Sequence, residues 1–411
     1  MDLINIQKTY AKLLVDVGLN LQPGQKLRLS AETVHAPFLK YIAEYAYQKG
    51  AAYVDFNITH SALERTRIDY SQEKYLDYLP PYVSARVQEW CEGDWTFLRV
   101  DGAENPDVLK GIDQKRNAIA SKKMSATNKP LMNKIVAHYK SWCVAAAPTV
   151  GWAKKVFPKE ASSLSDEQLV DKLWSVLLPI LRLDKADPVQ AWEHNQQLLW
   201  DRVAKMTSLN IEKLKFKAPG TDLEVSFIPG CHWAGGGSKT EAGVKFLPNI
   251  PTEEVFTSPH KLKTTGRAQV TRPVSVLGGM VTGAWFEFKE GRVENYGATD
   301  GKDFLDSYFE IDPRARYLGE VALVDAKSPV FSSGRVFENI LFDENAACHI
   351  ALGSAYPLGF EDHDAESLES HGFNQSVLHT DFMIGCPEIS VSGIRKDGSS
   401  VSIIERGLFT I

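Results

Sequence analysis

Six residues in the second half of this 411-residue chain are of types that bind divalent cations: Glu254, Glu320, Glu344, His349, His379 and Asp381. His379 and Asp381 have the clearest spacing. Residues 377–384 follow a strand pattern, and positions i and i+2 of a strand project from the same face. One imidazole and one carboxylate therefore point the same way, which is half of a metal site. Glu320 abuts the apolar run Val321-Ala322-Leu323-Val324, where a carboxylate without a partner is costly. It calls for a cation, a hydrogen-bond donor or a metal. His349 lies among apolar and small residues, where a lone histidine is more often a satisfied core residue than a ligand. Glu253 and Glu254 follow Pro251 and, taken alone, read as a solvated turn. Pooled, the six supply four carboxylates and two imidazoles. That set suits two borderline divalent ions such as zinc, cobalt or manganese, with one carboxylate bridging, as in two-metal hydrolases where the ions acidify a shared water.

The elements that must position these residues change character along the chain. The first half alternates helices and strands. Leu3, Ile6, Tyr10, Leu13, Leu14 and Val17 keep the helical period, Lys26–Ser30 alternates, and Phe38, Ile42 and Tyr45 share a helix face that Gly50 can end. Further strands are expected at 52–56, 95–100 and 143–147. A helix is expected over about 81–91, and a long polar one starting at Asn105-Pro106-Asp107. Residues 165–206 read as helical, opening on a Ser165/Gln168 capping box. After about residue 208, hairpins dominate, with turns at Pro219-Gly220, Glu290-Gly291 and Asp397-Gly398. The expectation is an α/β N-terminal domain (1–207) that shapes access and assembly. A strand-rich α+β C-terminal catalytic domain (208–411) follows.

Composition excludes several classes of function. There are 46 Lys+Arg against 52 Asp+Glu, a formal charge of −6, so no basic excess exists to hold nucleic acid or an anionic membrane. No apolar run reaches membrane-spanning length. The longest, 274–286, is broken by Gly278, Gly279 and Gly283. The five cysteines are scattered, odd in number and without a C-x-x-C, which fits a reducing cytoplasm. The start lacks the pattern of a signal peptide. Gly-x-Gly-x-x-Gly, G-x-S-x-G and H-E-x-x-H are absent, and Gly235-Gly236-Gly237-Ser238-Lys239 lacks the P-loop spacing.

Four stretches carry a resemblance: NIPTEEVFTSP (249–259), GEVALV (319–324), ENAACHIALGSAYP (344–357) and LHTDFMIG (378–385). They resemble the aminopeptidase T family of dinuclear metallo-aminopeptidases, which includes the PepS and AmpS types. The resemblance implies a metal-dependent aminopeptidase with two divalent metal ions per chain (zinc, cobalt, magnesium or manganese). A metal-bound hydroxide would attack the first bond of peptides with a free N-terminus. It implies Glu254, Glu320, Glu344, His349, His379 and Asp381 as ligands, with Glu320 bridging. Tyr356 would donate to the oxyanion, and Glu253 is the candidate general base. It also implies a homodimer, while the cysteines and the charge balance above point to a cytoplasmic protein with no nucleic-acid or membrane partner. His232, His260, His363 and His371 are further candidates around the pocket. The acids Glu361, Asp362, Asp364 and Glu366 would form a rim attractive to a peptide's ammonium group. Two other readings stay open on the residues alone: a different two-metal amidase or phosphoesterase, and a two-lobed binding protein without chemistry.

Overall fold

The structure is a computed structural model and describes residues 2–360 and 365–411. The chain divides into two compact units. One comprises Met1–Glu193 with Gly237–Pro251, and the other His194–Gly236 with Thr252–Ile411. The boundary expected after residue 207 thus moves into the helix Pro188–Ser208. A stretch of the strand-rich half also joins the first unit. The reason is main-chain pairing: Val144 N–H donates to Pro248 O at 2.7 Å, and Ile250 N–H donates to Val144 O at 3.0 Å.

The first unit is built on four parallel strands, β1 (Lys26–Glu32), β2 (Tyr53–Thr59), β3 (Trp95–Asp101) and β4 (Trp142–Ala146), in the order β2-β1-β3-β4. Parallel neighbours require crossovers, supplied by Ala36–Gln48, Pro81–Glu92 and Gln114–Val136 among other helices. Leu27 and Leu29 alternate inward along β1, as the spacing expects. Tyr10, Phe38 and Trp174 bring three helices together, with Tyr10 stacked on Phe38 at 5.5 Å and edge-on to Trp174 at 6.2 Å. Ser165 and Gln168 form the expected capping box. The helix expected from Asn105 starts later, at Gln114, where Asp113 accepts from Arg116 N–H. Asn105 Oδ1 instead accepts from Asp107 N–H at 3.2 Å, a local turn that competes with helix initiation.

The second unit contains an eight-stranded antiparallel sheet and a five-stranded one. Glu290 and Gly291 both have positive φ in a hairpin turn, at 50° and 81°, which matches the right-handed strand twist. The apolar run 274–286 opens with another such hairpin, Val274–Val276 with Gly279–Val281. Among the described residues no helix is long and apolar enough to cross a membrane.

The five-stranded sheet orders β9-β8-β7-β6-β5, where β5 is Ala234–Gly235, β6 Glu254–Thr257, β7 Leu318–Val324, β8 His349–Gly353 and β9 His379–Met383. All neighbours run antiparallel. One face carries Val255, Val321, Leu323, Ile350, Leu352 and Phe382, all fully buried in the unit's core. Phe382 packs edge-on to Phe286 of the larger sheet at 4.9 Å. Phe382→Ala should therefore destabilise this unit by about 3–5 kcal/mol, read from denaturant unfolding. A loss under about 1 kcal/mol would contradict this packing.

Candidate metal centre

The opposite face of the same sheet holds the polar residues. Pairing sets Glu320 opposite Ala351 and Ala351 opposite Asp381. The next row contains Phe256, Ala322, His349 and Met383, and beyond it Glu254 pairs with Val324. On the other side of the Glu320 row, His379 pairs with Gly353. Residues paired across strands share a face, as do residues two apart. Glu254, Glu320, His349, His379 and Asp381, from four adjacent strands, therefore all project from one surface. Ala322, Ala351 and Gly353 lie between them, and their small size leaves room for the longer ligand side chains to meet.

The distances resolve two groups. His349 Nε2 is 3.2 Å from Glu254 Oε2 and 3.6 Å from Glu320 Oε1. His379 Nε2 is 3.7 Å from Glu320 Oε2 and 3.4 Å from Asp381 Oδ1. Glu254, Glu320 and His349 each offer a ligand atom within 4.8 Å of the others, and so do Glu320, His379 and Asp381. Glu320 belongs to both groups, one oxygen toward each imidazole.

The orientation of the histidines suits cation binding. Nδ1 of His349 lies 3.2 Å from Ala347 O, and Nδ1 of His379 lies 2.8 Å from Ser354 O. A carbonyl only accepts, so Nδ1 donates to it, and Nε2 is the atom left facing the carboxylates. Oε2 of Glu254 is buried and faces Nε2 of His349 at 3.2 Å. A buried carboxylate oxygen facing an imidazole nitrogen is a pair that a proton or a shared cation can join. The oxygen and imidazole donors fit a borderline divalent ion.

The electrostatics say the same. Burial, followed by the charges of Glu254 and Asp381, raises Glu344 well above the usual carboxylate range. Burial also raises Glu320, outweighing the nearby imidazoles. For Asp381, burial is overcome by the His379 interaction and the pKa is lowered. Burial opposes charge on His349, but Glu254 and Glu320 prevail and raise it well above its ordinary value. His379 rises from 6.5 to about 9, because Asp381 and Glu320 outweigh burial.

The remaining expected residues are placed differently. Glu344 feels the charges of the cluster but stands in neither group, and its Oε1 accepts from Asn345 Nδ2 at 3.5 Å. Glu253 is buried just before β6, and its N–H donates to Asn345 Oδ1 at 2.6 Å. Asn345 is thus a support that the sequence reading missed, since a buried asparagine has no motif of its own. Tyr356 is 41% exposed, with its ring 5.3 Å from that of His379. Burial, then the charges of Glu320 and Asp381, pushes its hydroxyl far above its ordinary pKa. His232 lines a cavity of about 600 Å³ with Cys231 and Trp233, and no member of either group lines it. His371 Nδ1 bonds Ser367 O, and His260 Nδ1 accepts from Leu262 N–H. The acids Glu361, Asp362 and Asp364, with His363, lie outside the described residues.

Comparison with known proteins covers nearly the whole chain. Residues 5–409 match the family described as thermophilic metalloprotease (M29). Aminopeptidase 2 of Geobacillus stearothermophilus is 39% identical, over 97% of this chain and 96% of its own length. Aminopeptidase T of Thermus aquaticus is 36% identical, over 98% and 97%. The solved structure of wild-type AmpT from Thermus thermophilus superposes with a TM-score of 0.90 at 34% identity, covering 99% of this chain and all of that one. A buried oxygen-and-imidazole cluster in such a chain defines a metal-dependent aminopeptidase, a hydrolase with a divalent metal cofactor. The chain belongs to the thermophilic metalloprotease (M29) family.

The raised His379 pKa has a consequence for metal loading. Its folded value lies above the unfolded one, so in metal-free protein it contributes stability that is full below about pH 6.5 and lost as pH rises through about 9. At pH 7 the ring carries a proton, which a cation bound at Nε2 would have to displace. Zinc titrated into metal-free protein at pH 7 should therefore release protons, and this release should fade above about pH 9. Calorimetry in buffers of different ionisation enthalpy measures it. Buffer-independent heats at pH 7 would contradict the assignment.

Proposed function

We propose that Glu254, Glu320 and His349 hold one divalent ion and Glu320, His379 and Asp381 a second, with Glu320 bridging and Glu344 adding to the set. The observation that carries this reading is that the two ligand groups share a single carboxylate. Four carboxylates also match the charge of two divalent ions. Zinc, cobalt, magnesium and manganese are the proposed metals. When bound, such ions supply Lewis acidity toward a scissile carbonyl and lower the pKa of a water to near neutrality.

The protein's own groups do the rest. Tyr356 stays protonated across the physiological range, because burial and the neighbouring carboxylates disfavour the phenolate. Its hydroxyl is the proposed donor to the oxyanion that forms as the carbonyl is attacked. Its main chain is fixed, since Ser258 Oγ donates to Tyr356 O at 2.5 Å. Glu253 is the proposed carrier of a proton to the leaving amine, its own main chain held by Asn345. The ammonium of a peptide's first residue is drawn to the acidic cluster, which restricts cleavage to the N-terminal bond. The strand-rich domain is the proposed catalytic part and the α/β domain the part that shapes access and assembly. The working form is proposed to be a cytoplasmic homodimer, consistent with five unpaired cysteines.

Glu320→Gln should remain folded, bind fewer than two ions per chain by elemental analysis, and lose kcat/KM on leucine p-nitroanilide. Changing a residue behind a ligand typically costs about 10–100-fold, and a ligand shared by two ions should exceed that. Two ions retained with full activity would refute the bridging role. Tyr356→Phe should keep both ions and lower kcat by about 10²–10³-fold with little change in KM. An unchanged kcat would remove Tyr356 from the chemistry.

A further inference from the structure

Ahead of its first paired residue, β6 runs out of strand neighbours. Its pairing starts at Glu254, opposite Val324 of β7, and on the other side at Val255, opposite Gly235 of β5. Thr252 and Glu253 precede this ladder and are buried. Buried main-chain groups that lack a strand partner must be satisfied in another way. Two asparagine side chains do this for the peptide group that joins Thr252 to Glu253. Asn195 Nδ2 donates to Thr252 O at 3.1 Å, and Asn345 Oδ1 accepts from Glu253 N–H at 2.6 Å. This peptide is trans, so its C=O and N–H point in opposite directions. The group is therefore gripped from both sides.

The orientation of both amides is fixed by chemistry. A carbonyl only accepts and a main-chain N–H only donates, so Asn195 must offer its amino group and Asn345 its carbonyl. The amino group of Asn345 also donates to Leu341 O at 2.9 Å, and its main-chain carbonyl accepts from Ser328 Oγ at 2.7 Å. Asn345 is wholly buried and Asn195 nearly so. Asn195 belongs to the helix Pro188–Ser208, and Asn345 follows Glu344 directly. The clamp thus ties the start of β6 to a long helix and to the segment that carries Glu344. Glu254 is the residue just beyond the gripped peptide, with Oε2 3.2 Å from His349 Nε2.

We propose that Asn195 and Asn345 are positioning residues for Glu254. By fixing the peptide in front of it they set how its carboxylate meets His349, and with that the affinity for the divalent ion assigned to Glu254, Glu320 and His349. The inference rests on the proposed metal centre. The other ion is assigned to side chains of β7 and β9, strands outside the clamp, so its affinity should not depend on either asparagine. Removing a group that orients a metal ligand typically costs about 10–100-fold in metal affinity.

The test removes each half of the clamp. Asn195→Ala places a better helix former in the helix, which favours folding, and Asn345→Ala removes the other grip. Metal-loaded wild type and variants are dialysed against zinc buffers of graded free concentration, and the retained ions are counted by elemental analysis. Melting temperature checks folding. Wild type should keep two ions per chain. Each folded variant should release one ion at a free zinc concentration about 10-fold or more above wild type, and keep the other at the wild-type level. Its kcat/KM on leucine p-nitroanilide should fall in step and recover in part with excess zinc. Asparagines that served stability alone would lower the melting temperature without separating the two ions. Both ions retained at wild-type levels in folded Asn195→Ala, or both weakened equally, would overturn the inference and leave the metal centre standing. Fewer than two ions in wild type would instead overturn the reading beneath it.

Discussion

The controlling constraint in this protein is the burial of like charges. Glu254, Glu320 and Asp381 share one face of one sheet, Glu344 lies near enough to feel their charges, and Glu320 and Asp381 are almost wholly out of solvent. Desolvation and repulsion from the neighbouring carboxylates disfavour the charged forms of Glu320 and Glu344. Two imidazoles offset this only in part, because neutral rings supply lone pairs and charged rings still leave a negative excess. The divalent cations proposed for this site would resolve the conflict, and their binding would then also contribute to folding free energy. The raised pKa of Glu320 and Glu344 is the same conflict expressed in protons when no cation is present.

The five-stranded sheet makes such a cluster tolerable by dividing its two faces. Strand alternation sends Val321, Leu323, Ile350, Leu352 and Phe382 into the core, and that packing holds the strands in register. The same alternation sends the proposed ligands to the other side without a break in the pattern. Ala322, Ala351 and Gly353 keep the space between them open. Gly353 could not be replaced cheaply: its φ is +117°, and an added Cβ would fall 2.0 Å from Leu378 O, in the loop that leads to His379. The carbonyls of Ala347 and Ser354 then fix both imidazoles. Stability and site geometry therefore depend on the same register. A one-residue slip would bury the proposed ligands in the core and expose the core residues.

Much of the fold was legible because it rests on local signals. The four parallel strands of the first unit follow from alternation and the intervening helices, and the glycine turns from residues that accept positive φ. The two departures have local or long-range causes. Asn105 diverted a helix start through its own side chain. Residues 237–251 joined the first unit through pairing with β4, a contact about a hundred residues away that no window along the chain contains.

For the site, the sequence alone determined the residue types and one geometric relation, the shared face of His379 and Asp381, because strand period is a local property. It also determined that Glu320 must find a partner, because a carboxylate beside an apolar strand cannot stay unsatisfied. Only the tertiary structure decided that Glu254, Glu320, His349 and the His379–Asp381 pair meet. Strand order and register are set by contacts between segments up to 127 positions apart (Glu254 to Asp381). It also left Glu344 beside the two candidate groups without a place in either, made Asn345 a support, and opened a cavity at the edge strand. Those outcomes follow from which side chains are small enough to leave space and which main-chain groups remain to be paired, quantities that exist only once the sheet has formed.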